Sequence, residues 1–168
     1  MKNIYLVGFM GTGKTSVGKL LSKKLDKEFI EMDDFIEKRE GKKIVEIFTE
    51  AGESCFRKIE KEVLNEFSTK IDSIVSCGGG LICNDDNAKV LLENGIVFCL
   101  TASAETIYTR TKKVTHRPLL NVADPLKKIK ELLNQRASYY NKAHYIVDTD
   151  NIPKEEIADK IIRILKNR

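Results

Sequence analysis

The apolar positions of this chain come in two rhythms that alternate from one end to the other. Ile4-Tyr5-Leu6-Val7 is a short unbroken apolar run, the pattern of a strand that is covered on both faces. Val17, Leu20, Leu21 and Leu25 then recur at helical spacing, with Lys19, Lys23 and Lys24 left for solvent. Phe29-Ile30-Glu31-Met32 predicts a second short strand that ends at Asp33-Asp34, followed by a short amphipathic piece through Arg39, a turn at Gly41 and a short helix over 44–48. From Glu53 the stripe Phe56, Ile59, Val63, Leu64 and Phe67 predicts a longer helix.

The second half repeats the alternation. Ser73-Ile74-Val75-Ser76-Cys77 and Ile96-Val97-Phe98-Cys99-Leu100 read as buried strands, with a helix around 88–93 between them and a triple glycine, Gly78-Gly79-Gly80, after the first. Residues 105–111 have helical spacing. Residues 112–124 are polar, contain Pro118 and show no periodicity, which predicts a mobile connection. A long helix follows from Pro125 to about Tyr140, then a fifth strand over His144-Tyr145-Ile146-Val147-Asp148. The last helix starts at Pro153, with Glu155 and Glu156 in its first turn and Ile157, Ala158, Ile161, Ile162 and Leu165 on its inner face.

Five strands separated by helices imply an α/β fold, a three-layer α/β/α arrangement around a five-stranded parallel sheet, because parallel neighbours need crossover helices. Ligands of such sheets gather at the carboxyl ends of the strands, where Gly8, Asp33 and Gly78 all fall. With no repeat, low-complexity tract or linker, residues 1–168 read as one domain, with a lid at about 112–124.

Composition narrows the picture by exclusion. The net charge of +4 comes from 29 basic residues interspersed with 25 acidic ones, so the chain has no basic stripe and no nucleic-acid partner is expected. No apolar run approaches the roughly 20 residues of a membrane span, and the N-terminal apolar run is a strand rather than a signal peptide. Cys55, Cys77, Cys83 and Cys99 lack metal-ligand or CxxC spacing and read as buried free thiols of a cytoplasmic protein. A monomer is expected.

The chemistry enters with Gly8-Phe9-Met10-Gly11-Thr12-Gly13-Lys14-Thr15, a complete Walker A motif between a strand and a helix. Its glycines let successive backbone N–H groups turn in on phosphate oxygens, and the helix N-terminus adds its dipole. The predicted nucleotide contacts are Gly11, Thr12, Gly13, Lys14, Thr15 and Ser16. Lys14 reaches the β- and γ-phosphates, and Thr15 is the ligand of a Mg2+ carried in by the nucleotide.

Three further features bear on the phosphate acceptor, namely Asp33, Arg57 and the triple glycine. Taken singly they fit a helix cap, a solvated arginine and a turn. Together with GFMGTGKT, Glu31-Met32-Asp33, Phe56-Arg57-Lys58-Ile59-Glu60, Arg117-Pro118-Leu119-Leu120, and Arg136 followed by Tyr139, they resemble the shikimate kinase family over essentially the whole chain. The resemblance implies the P-loop fold of nucleoside monophosphate kinases with a mobile lid. It also implies transfer of the γ-phosphoryl group of ATP, with Mg2+, to the 3-hydroxyl of shikimate, on the route to chorismate and the aromatic amino acids.

Carried over residue by residue, the resemblance makes Asp33 the partner and base of the acceptor hydroxyl. Arg57 and Arg136 clamp the acceptor carboxylate, and Gly78, Gly79 and Gly80 bring backbone up to the acceptor. Arg117 supplies a positive charge to the transferring phosphate from the lid, while Arg110 and Asn151-Ile152-Pro153 lie in the adenine-contacting regions. Glu31 stands where the family commonly has aspartate. His116 and His144 match no family site and are read as structural. Within the kinases, a gluconate or nucleoside monophosphate acceptor remains the alternative; outside them, a nucleotide-binding module without kinase activity.

Overall fold

The strand that feeds the Walker A loop, β1 (Asn3–Val7), is buried along its whole length and lies at the centre of the sheet. In this computed structural model, which describes residues 2–69, 72–112 and 118–168, it pairs in parallel with β3 (Ser73–Ser76) on one side and β4 (Gly95–Thr101) on the other. With β2 (Glu28–Glu31) outside β3 and β5 (Tyr145–Asp148) outside β4, the order is β2-β3-β1-β4-β5, every pair parallel.

Side-chain alternation along β1 divides the interior into two cores. Ile4 and Leu6 pack with Val17 and Leu21 of α1 (Lys14–Leu25) and with Ile157 and Ile161 of α7 (Lys154–Lys166). Tyr5 and Val7 face the other way, onto α3 (Ile44–Ser68), α4 (Asp85–Asn94), α5 (Ala104–Thr111) and α6 (Pro125–Tyr140). Truncating a wholly buried leucine such as Leu6 or Leu21 to alanine would cost about 2–5 kcal/mol. No helix among the described residues is long and apolar enough to cross a membrane.

Several boundaries differ from the sequence reading, each for a local reason. Met32 belongs to α2 (Met32–Glu40) rather than to β2, so Asp33 and Asp34 occupy the first helical turn, where carboxylates complement the helix dipole. The two helices expected over 44–48 and from Glu53 are segments of one α3, divided at Gly52, whose φ of 77° and ψ of 171° no helix contains. A short 3-10 turn over Leu81–Cys83 was not anticipated, and α4 begins at Asp85 because the Asn84 side chain accepts the Asn87 N–H.

His144 precedes β5 instead of opening it. Its Nδ1 accepts the Val97 N–H at 3.1 Å, a structural role, and burial followed by the nearby Arg168 and Lys2 lowers its pKa toward the neutral form that this bond requires. Of the four cysteines, all free, Cys77 and Cys99 are buried whereas Cys55 and Cys83 are only half-buried. Within the expected lid, Pro118–Leu120 forms a 3-10 turn and Asp124 caps α6 by accepting the Lys127 N–H. His116 and Arg117 lie outside the described residues.

Candidate active site

The loop between β1 and α1 forms one wall of a cavity of about 470 Å3 at the carboxyl edge of the sheet. Gly13 caps α1 with a φ of 95°, a left-handed conformation suited to glycine, and a Cβ there would meet nothing within 4 Å. The side chains brace the loop from behind. Thr12 donates to the Phe9 carbonyl at 2.8 Å, and Lys14 Nζ donates back across the turn to the carbonyls of Gly8 and Phe9 at 2.9 and 3.0 Å.

Arg110 ties this loop to the far end of β5. Its Nη1 donates to the Gly11 carbonyl and to Thr149 Oγ1, each at 3.2 Å, and its Nη2 to the Thr149 carbonyl at 2.9 Å. Gly11, Thr12, Gly13, Lys14, Thr15, Ser16 and Arg110 therefore surround one space, joined by Ile152. Thr149 and Lys154 also line it, and neither carried a sequence signal.

Thr15 donates its hydroxyl to Glu31 Oε2 at 2.6 Å. Burial raises the Glu31 pKa, the Thr15 bond pulls it down and the neighbouring Asp33 charge pushes it up again. The longer side chain at position 31 thus reaches the hydroxyl directly. Hydroxyl and carboxylate oxygens are the donors that Mg2+ takes, usually alongside substrate phosphates and water. The pair fits such an ion arriving with a nucleotide. Among the described residues no group of three or more His, Cys, Asp or Glu side chains could hold a metal.

A second cavity, of about 630 Å3, adjoins the first. Ile44, Val45, Phe48 and Phe56 form its apolar wall, Arg57, Glu60, Gly78, Gly79, Gly80 and Arg136 a polar one, and Glu37, Lys43 and Glu46 also line it. Leu119, from the expected lid segment, also borders it. Asp33 and Asp34 both border this space, but only Asp33, with Met10 and Gly79, also borders the first cavity. The two chambers meet at these three residues.

The outer two of the three glycines let charged groups approach, and Gly79 lies against the backbone of the Walker A loop. An added Cβ on Gly80 would lie 2.8 Å from both terminal nitrogens of Arg57, and one on Gly78 would lie 2.4 Å from Glu60 Oε1. Arg57 is held from both sides: Nε and Nη2 donate to Glu53 Oε1 at 3.1 and 2.7 Å, and Nη1 to Glu60 Oε2 at 2.5 Å. Burial opposes the Arg57 charge, but the carboxylates outweigh it and raise the pKa further. Glu60 is only 1% exposed, and burial pushes its pKa up to about 7 against the pull of Arg57. Its Oε1 has no hydrogen-bond partner among the described atoms.

Arg136, 9% exposed, stacks over the Phe9 ring at 5.4 Å and donates to the Gly79 carbonyl at 3.3 Å. That carbonyl also accepts the Tyr140 hydroxyl at 2.8 Å. Tyr140, one helical turn beyond Arg136, is thus the inward tyrosine, while Tyr139 lies under Lys142 with its ring 4.8 Å from Nζ. The i, i+4 spacing of Arg136 and Tyr140 was a signal that sequence reading could have used. Glu60 stood in view within F-R-x-x-E without a role, and Glu53 is the i−4 partner of Arg57.

A Walker A cradle that shares its floor with a second, arginine-bearing chamber defines a P-loop phosphotransferase for a small acceptor. Residues 10–166 match the family model described as shikimate kinase. A shikimate kinase of Thermodesulfovibrio yellowstonii is 49% identical over 163 residues, covering 97% of this chain and 94% of the relative. Among solved structures, shikimate kinase from Acinetobacter baumannii in complex with shikimate superposes with a TM-score of 0.96 at 39% identity, covering all of this chain and 95% of that one. A gluconokinase from Sinorhizobium meliloti reaches a TM-score of 0.65 at 17% identity over 99% of this chain and 94% of its own, which shows a shared fold alone. The chain belongs to the shikimate kinase family.

Proposed function

We propose that the protein transfers the γ-phosphoryl group of ATP to the 3-hydroxyl of shikimate, giving shikimate 3-phosphate and ADP. The observation that carries this reading is the meeting of the two cavities at Asp33, Met10 and Gly79, with the Walker A loop on one side and Arg57 and Arg136 on the other. The acceptor is a polyol ring bearing one carboxylate. Two guanidinium groups recognise such an anion, and the Ile44, Val45, Phe48 and Phe56 wall accepts the ring.

In the transfer, the acceptor hydroxyl oxygen forms a bond to the γ-phosphorus as the bond from that phosphorus to the bridging oxygen of ADP breaks. Asp33, placed where the chambers meet, takes the hydroxyl proton. Lys14 is drawn from the loop carbonyls to the phosphates, and the N–H groups of residues 11–16 hold them. Thr15 would hold Mg2+, with Glu31 accepting the hydrogen bond of the Thr15 hydroxyl so that an oxygen lone pair is left for the ion. When bound, Mg2+ would supply positive charge against that of the phosphates.

Measuring ADP release with shikimate, gluconate and nucleoside monophosphates side by side tests the reading. Shikimate should be the acceptor that sustains turnover. Robust ADP release with gluconate or a nucleoside monophosphate and none with shikimate would overturn it.

A further inference from the structure

Lys154 lines the donor cavity, although its place in the backbone disfavours its charge. It follows Pro153, the cap of α7, and so stands in the first turn of that helix, where unpaired N–H groups oppose a cation. Glu155 and Glu156 beside it follow the usual preference for acidic side chains in that turn. Its side chain is exposed, and among the described residues no ion pair engages its ammonium. The helix therefore gives no reason for a positive charge here, and the cavity does.

α1 and α7 each follow a strand of the parallel sheet and pack against one another on the same face, so both begin at its carboxyl edge. Val17 near the start of α1 and Ile157, one turn after Lys154, belong to one core, and both line the donor cavity. Lys154 thus stands beside the end of α1 at which the Walker A loop presents its N–H groups. Like Arg110 and Thr149, it borders the donor cavity and not the acceptor cavity. The transferring phosphate has to lie where the chambers meet, at Met10, Asp33 and Gly79, so the wall that holds Lys154 faces the rest of the nucleotide.

We infer that Lys154 is a further donor-site residue whose ammonium pairs with a phosphate that stays behind in ADP, given the reading of the first cavity as the nucleotide site. Because that phosphate is common to ATP and ADP, the contact is the same before and after transfer. Lys154 therefore sets nucleotide affinity without acting on the chemical step.

The test is Lys154→Gln, which keeps a hydrogen-bond donor and a good helix former but removes the charge. The Kd for ADP, read by titration calorimetry, and the KM for ATP should both rise about two- to fivefold, the range of an exposed ion pair, while turnover stays within about twofold. The difference from the parent should shrink as ionic strength rises. Lys154→Arg should restore the parent Kd, and the melting temperature of Lys154→Gln should be unchanged or slightly raised, since a disfavoured charge has left the helix. Lys160→Gln makes the same change in net charge at an exposed position of α7 that lines neither cavity, and it should leave both constants alone. An unchanged ADP Kd in Lys154→Gln, an equal rise in Lys160→Gln, or an equal rise in Lys154→Arg overturns the inference. The ADP titration needs no acceptor, so its result stands whichever acceptor sustains turnover; if the unaltered protein does not bind ADP at all, the reading of the donor cavity fails instead.

Discussion

The two chambers of this site are built from different materials. The donor cradle is centred on one contiguous stretch, residues 8–16, whose Thr12 and Lys14 side chains turn back to brace the loop, with Arg110, Thr149 and Lys154 on its far wall. The acceptor chamber is assembled from regions far apart in sequence: Asp33 on α2, Arg57 and Glu60 on α3, the glycines after β3, and Arg136 on α6. On the proposed function, the loop's backbone N–H groups take what every nucleotide has, its phosphates. The acceptor chamber's side chains then take what one acceptor has, so acceptor choice could change while the cradle remains.

If this division holds, substitutions on the acceptor side should damage shikimate chemistry and spare ATP binding. Asp33→Asn should do so most. It keeps the shape of the side chain and removes the proton acceptor, so turnover should fall about 10²–10⁴-fold. The KM for ATP should stay within about twofold, because the phosphates are held elsewhere. Loss of part of the helix-dipole interaction at the start of α2 costs only about 0.3–1 kcal/mol, which the fold can bear. Steady-state kinetics with each substrate varied in turn decides it: a fall in turnover of less than tenfold would remove Asp33 from the base role.

Arg136→Ala comes next. Charge-assisted hydrogen bonds contribute about 1.5–3 kcal/mol, so the KM for shikimate should rise about 10–100-fold, with a smaller change in the KM for ATP. Arg136 also packs over Phe9 in the loop, so Arg136→Lys is the sharper control: it keeps the charge and loses the fork. Lysine should recover only part of the lost affinity. Equal rises in the two KM values would mean that Arg136 serves the loop as much as the acceptor, and the division between chambers would be less clean than the cavities suggest.

The same difference in materials governs what was legible before any coordinates. The cradle could be read from eight consecutive residues because its mechanism is local. The sheet, too, followed from local rhythm: β1 and β4 match their apolar runs, and the need for crossover helices makes the strands parallel, whereas their order in space, β2-β3-β1-β4-β5, was not legible. The acceptor residues could be proposed only through the family resemblance, since nothing near Arg57 or Arg136 in sequence says that the two border one cavity. Glu60 shows the limit most clearly. Its pattern on α3 is that of any i, i+3 ion pair, and only its burial beneath Gly78 sets it apart. Position 52 shows it for backbone, since a helix break with no packing demand leaves only a glycine behind.

The smallest expected effect probes the cradle itself. Ser16 lines the donor cavity, but its side chain is exposed and its expected contribution is the backbone N–H at the start of α1. Ser16→Ala leaves that N–H in place and exchanges a serine for the best helix former. The KM for ATP should therefore stay within about twofold and turnover within the same range, with the melting temperature unchanged or slightly raised. Kinetics at varied ATP together with thermal unfolding would measure all three. A tenfold or larger rise in the KM for ATP would mean that the hydroxyl itself contacts the nucleotide. The donor chamber would then recognise its ligand through side chains as the acceptor chamber does, and the contrast between the two would come down to how many elements contribute to each.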